Sequence, residues 1–189
     1  MLRLSPVAIA VTGLMAAAAL VAGAAWAQPS AAPADAVRIP RAPTPAEYVE
    51  RPKARGPAYE LAVEAALEAI NRCKADKQDI SVQVTDAANE IVVLISPNAA
   101  GMRSLRLLKG KAVTPYMTGK PSSAARGLAA TDPVIAGRIA ADVAVGYPGS
   151  VPIIVGNEMI GAITVSGSQI NNDEACASAG LAKVQARLK

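Results

Sequence analysis

The chain has 189 residues, with 19 Lys and Arg against 15 Asp and Glu, no His, no Phe and one Trp. The lack of imidazole excludes Ser-His-Asp and Cys-His catalysis and every His-ligated metal site. A small positive balance with few aromatic rings leaves neither the charge nor the stacking platforms that nucleic-acid binding needs.

Residues 1–27 are a different material from the rest. Arg3 gives a basic start, Val7 to Val21 is an apolar run, and Ala25-Trp26-Ala27 has the small, spacer, small pattern that signal peptidase cuts. A cleaved leader ending at Ala27 predicts a periplasmic or secreted chain that starts at Gln28 and has no stable membrane insertion. The alternative is an uncleaved anchor, because Leu4 to Ala25 nearly reaches the ~20 apolar residues of a spanning helix. Residues 28–57 carry seven prolines and little apolar periodicity, which predicts an extended or disordered arm. The folded part is then residues 58–189, enough for one core without metal staples.

Tyr59, Val63, Ala66, Ile70 and Cys73 recur at helical spacing and predict an amphipathic first helix, with Glu60, Glu64 and Glu68 on another face. Ile80 to Thr85 alternates strictly, as a strand with one buried face does. Asp86 to Glu90 forms the turn, with Asn89 suited to a left-handed backbone. Ile91 to Ile95 is continuously apolar and predicts a central strand covered on both faces. A helix follows on Met102, Leu105, Leu108, Ala112 and Val113 and is expected to end near Pro115. Asp132-Pro133 starts a shorter helical stretch to about Val143. Ser150 to Val155 and Met159 to Val165 flank the loop Gly156-Asn157-Glu158, a hairpin of three-residue type. The Asn171 to Glu174 cluster offers caps and first-turn acids to a last helix on Ala177, Leu181, Val184 and Leu188. The sum is an α+β domain, an antiparallel sheet with helices packed on both faces.

Four features carry potential chemistry. Cys73 and Cys176 are the only cysteines, and an even pair in an exported chain predicts a disulfide, with two buried thiols as the alternative. Between Glu90 and Asp132 no acid occurs, yet Arg103, Arg106, Lys109, Lys111, Lys120 and Arg126 do. Such a segment suits carboxylates or phosphates, or is a solvated face balanced by the Glu60, Glu64, Glu68 stripe. Tyr116 and Met117 are potential phenolate and thioether ligands or core residues. Gly161, inside a strand, marks a close approach of backbone or ligand. Ser166-Gly167-Ser168 lacks the G-x-S-x-G spacing and reads as a turn.

Taken in order, RGPAYELAVEAALEAI from Arg55, VTDAANEIVVLIS from Val84, TDPVIAGRIAAD from Thr131, PGSVPIIVGNEMIGAITVSGS from Pro148 and NDEACASAGL from Asn172 resemble the GlcG/HbpS family of haem-binding proteins. The resemblance implies a profilin-like α+β domain that associates into homo-oligomers, and haem or a related planar anion as ligand. The continuous apolar run Ile91 to Ile95 points to a subunit interface as well. The chain departs from the family pattern at SPNAAGMRS, which has neither the usual acid nor a nearby His, and at Thr164 and Asn157, where glycines are usual. With no His, the candidate ligand contacts are Met102, Arg103, Arg106, Lys111, Tyr116, Met117 and Gly161, with no catalytic residue and no metal set. The leading expectation is a non-catalytic binding or sensing protein. Its rivals are an interaction module without ligand and an accessory enzyme of glycolate-type hydroxy acid metabolism, for which no general base is evident.

Overall fold

A computed structural model describes residues 53–168 and 172–189. The expected leader, most of the Pro-rich arm and Asn171 lie outside them.

Four strands form one antiparallel sheet in the order β2-β1-β4-β3: β1 (Ser81–Asp86), β2 (Ile91–Ile95), β3 (Ser150–Val155) and β4 (Glu158–Ser166). The helices are α1 (Tyr59–Ala75), α2 (Met102–Thr118), α3 (Ala125–Leu128), α4 (Pro133–Ala141) and α5 (Asp173–Val184). The α+β class and the helices on both faces are as the sequence predicts. The strand roles are not. Continuously apolar β2 is an edge, with Ile91 59% and Leu94 47% exposed, whereas alternating β1 is central and buried along its whole length.

The reason lies in two unlike buried faces. Val82, Val84, Ile163, Val165 and Val151 point to one side, into an apolar core with α1 and α5. The intervening residues Ser81, Gln83, Thr85, Ser150, Thr164 and Ser166 point to the other and are also buried. Cross-strand register aligns Gln83 with Thr164 and Thr164 with Ser150, whose hydroxyls are 2.7 Å apart. This hydroxyl-rich face is covered by α2, itself polar on its inner side through Ser104, Lys111 and Thr114. Alternation in β1 therefore encodes two kinds of core and not core against solvent.

Small residues set the apolar layer. α1 buries Ala62, Ala65, Ala66, Ala69, Ile70 and Cys73, a stripe rotated from the predicted one, and Tyr59 is exposed. Alanines let α5 approach so closely that a Cβ on Gly180 would lie 2.4 Å from the Ala65 carbonyl oxygen. The expected Cys73–Cys176 disulfide locks the two helices together, with its Cα atoms 5.6 Å apart.

Local signals behave mostly as read. Asn89 has φ +63°, and Asp132 caps α4 through the Val134 and Ile135 amides at 2.9 and 3.2 Å. The hairpin loop is two residues, Gly156-Asn157, with Gly156 at φ +62°, the position where a II′ turn places its glycine. α2 runs past Pro115 to Thr118 and stops at Gly119, which is left-handed at φ +66° and donates its N–H back to the Pro115 carbonyl at 2.8 Å. Order also begins before residue 58, since the Ala87 amide donates to the Arg55 carbonyl at 2.8 Å.

Gly161 is explained by backbone. A Cβ there would sit 2.0 Å from the Thr85 carbonyl oxygen of the neighbouring strand. Gly161→Ala is expected to cost about 1–3 kcal/mol through forced strand separation. Urea unfolding measures it, and an unchanged midpoint would mean that the sheet yields at no cost.

Candidate functional site

The polar layer opens at one end. Between the first turns of α2, the Tyr147–Pro148 segment before β3, and the junction of β4 with α5 lies a cleft of about 560 Å³, within the range of small-molecule sites. Its lining includes Gly101, Arg103, Ser104, Leu107, Lys111, Tyr147, Pro148, Ser166, Gly167, Ser168 and Asp173.

Each side chain has a structural cause. Lys111, in the middle of α2, reaches the sheet, pairs with the Asp173 carboxylate at the start of α5 and donates to the Val165 carbonyl at 3.3 Å. Both residues are buried, and the other Asp173 oxygen accepts from the Ser168 amide at 2.8 Å. The pair satisfies two charges that would each be costly alone. Ser104 Oγ donates to the Gly101 carbonyl at 2.6 Å, so with one proton it accepts from Ser81 Oγ at 2.6 Å. Ser81 in turn accepts from Ser96 at 2.8 Å. Ser166, the register partner of Ser81, is wholly buried, and its Oγ is the buried side-chain polar atom without a hydrogen-bond partner among the described residues. The Tyr147 ring is held by the Arg126 guanidinium, 5.7 Å from the ring centroid, which also donates to the Gly146 carbonyl at 3.0 Å.

Of the sequence-predicted contacts, Arg103 and Lys111 line this cleft. Met102 and Arg106 are exposed on α2 outside its lining, Met117 lies near the far end of that helix, and Gly161 faces the β1 backbone. Tyr116 is fastened at that far end too, donating to the Asp86 carbonyl with its oxygen 2.8 Å from Thr85 Oγ1. Burial pushes its phenol well above the usual value; the Thr85 hydrogen bond opposes this and the Asp86 charge adds to it. A raised folded-state value keeps Tyr116 protonated, so its contribution to stability is complete below about pH 10 and is lost as alkaline pH rises further. Tyrosinate absorbance should therefore show Tyr116 ionising only as the protein unfolds. A fully reversible titration of every tyrosine in the folded state would contradict this.

Tyr147, Ser104, Ser166 and Asp173 were not legible as site residues. The available signal was the shared run of Ser and Thr at inward positions of β1, β4 and α2, which marks a polar layer with an open end. Among the described residues no cluster of three or more His, Cys, Asp or Glu could hold a metal ion.

Against known proteins, the model of the haem degrading protein HbpS-like family matches residues 58–182. A crystal structure of HbpS is 26% identical, covers 71% of this chain and 94% of its own, and superposes with a TM-score of 0.61. The Klebsiella pneumoniae protein ORFY is 17% identical, with 74% and 97% coverage and a TM-score of 0.60. A PduOC:heme complex is 17% identical, with 67% and 94% coverage and a TM-score of 0.59. At that identity the last two speak for the fold alone. No curated protein matches. With the family model spanning most of the chain and the sheet and helices arranged as described, the chain belongs to the GlcG/HbpS family.

Proposed function

We propose that this protein binds haem or a related planar anionic tetrapyrrole in the cleft beside α2, without catalysing a reaction of its own. The observation that carries the reading is the meeting of three chemistries in one cleft. Leu107, Pro148 and the Tyr147 ring give an apolar wall, Arg103 gives a cation at its rim, and the Tyr147 phenol is the lining group able to ligate ferric iron. These residues fit the group: Leu107 and Pro148 would hold the macrocycle, Arg103 would pair with a propionate, and the Tyr147 phenol would be the iron ligand. Haem, when bound, supplies the redox-active iron; the chain supplies anchorage and a bounded polar floor. The HbpS-like family and the likeness to HbpS support a haem-related role.

The same proposal includes export by the leader at residues 1–27 and assembly into a homo-oligomer. The second rests on the open edge of β2, where exposed Ile91 and Leu94 lie along unpaired backbone groups that another copy can cover. A haemin titration of the exported protein tests the function. A saturable Soret shift at one haem per chain, altered by Tyr147→Phe, is expected, together with a multimeric mass in light scattering. No saturable binding would return the chain to the role of an interaction module, and a monomeric mass would remove the oligomer.

A further inference from the structure

We propose that the end of the cleft beside the start of α2 is a subsite for a single carboxylate, formed by the first turn of α2, the Ser166 hydroxyl on the floor and the Arg103 guanidinium at the rim. It rests on the cleft being the ligand site but not on haem being the ligand.

The first observation is electrostatic. α2 has 17 residues, follows an N-cap glycine, Gly101, that offers no side-chain cap, and has no acid in its first turn. Its first amides have no intrahelical partner by geometry, apart from Ser104, whose N–H turns back to the Gly101 carbonyl at 2.9 Å. The positive end of the helix dipole therefore faces the cleft, and Arg103 adds a cation where an acid would be favourable. A sequence that places Arg at an uncapped helix start is unfavourable when empty and favourable when an anion lies between them.

The second observation is independent of the helix. Ser166 Oγ is fully buried on the cleft floor with no partner among the described residues, while the neighbouring hydroxyls of Ser81, Ser96 and Ser104 are all engaged. A buried hydroxyl left unpaired costs free energy, and its proton is available to an acceptor in the cleft. Ser81 cannot serve, since its hydroxyl already joins Ser96 and Ser104.

Charge selects the class. Lys111 and Asp173 neutralise each other, so among the lining residues Arg103 is the one ionic charge without an ion-pair partner. One guanidinium fork, one hydroxyl donor and the helix end match a planar monoanion, a carboxylate, better than a phosphate dianion. The source is either the propionate of a tetrapyrrole or a free small carboxylate.

Calorimetry with acetate, propionate and inorganic phosphate, beside absorbance titration with haemin and haemin dimethyl ester, tests the subsite and separates the sources. The expected results are a preference of at least tenfold for haemin over its ester, saturable binding of the small carboxylates with phosphate weaker, and loss of both preferences in Arg103→Ala and Ser166→Ala. Arg103→Gln repeats the first variant with a side chain of similar length, and thermal melts check that each variant is folded. If the small carboxylates bind and haemin does not, the subsite stands and the haem reading falls. If haemin and its ester bind alike, and neither variant changes them, the subsite is overturned while the haem reading stands. If neither small carboxylate nor haemin binds, both fall.

Discussion

Replacing Cys73 and Cys176 together by Ala is expected to destabilise the protein by about 4–5 kcal/mol. The disulfide spans a sequence separation of 103 residues, and closing a ring of that size removes about 4.7 kcal/mol of freedom from the unfolded chain in the entropic account. It links α1 to α5, the two helices that form the apolar layer, and both cysteines are fully buried, so truncation adds a packing loss. The melting temperature should fall by on the order of 15 °C. A loss below about 1 kcal/mol would show that the unfolded chain is already constrained without the bond.

Lys111→Met is the second large effect. It removes the cation but leaves the Asp173 carboxylate buried beneath α2, with the Ser168 amide as its remaining donor. Stranding one member of a buried pair costs about 3–5 kcal/mol. Adding Asp173→Asn should recover part of that loss, because an amide oxygen still accepts from Ser168 and no charge remains to be buried. Denaturant unfolding of the two singles and the double closes the cycle. Losses that simply add would mean that the two side chains are not coupled, and that the floor of the cleft is held by packing alone.

These two contacts differ in how far the sequence disclosed them. The disulfide was legible, because an even cysteine pair in a chain read as exported predicts one over two buried thiols. So were the extent of α1, the two strands of the hairpin and the Asp132 cap, though the buried stripe of α1 is rotated from the predicted one and the hairpin loop is one residue shorter. The ranks of β1 and β2 were inverted for a physical reason. Ser81, Gln83 and Thr85 look like solvent-facing positions, but α2 covers that face, where Ser104 bonds the Ser81 hydroxyl and Tyr116 bonds that of Thr85. A hydropathy pattern cannot distinguish water from a buried polar partner. In the same way the apolar run of β2 reads as interior whether its cover is a helix of this chain or another subunit. The basic segment was legible as a run of cations, yet one α2 arginine, Arg103, lines the cleft while Arg106 lies outside it. Ser166 and Tyr147 stand in segments that read as ordinary turn and loop, and their meeting depends on the crossover from α2 through α4 back to β3.

The most direct test of the account is a parallel haemin titration of the wild type, Arg103→Ala and Arg106→Ala, followed at the Soret band at physiological ionic strength. The two arginines are one turn apart on the same helix and carry the same charge, but only Arg103 lines the cleft. Haem binding in this cleft predicts saturation at one haem per chain, a loss of at least tenfold for Arg103→Ala, and a change within about twofold for Arg106→Ala, whose exposed charge is screened. Equal losses for both variants, or no saturable binding by the wild type, would contradict it.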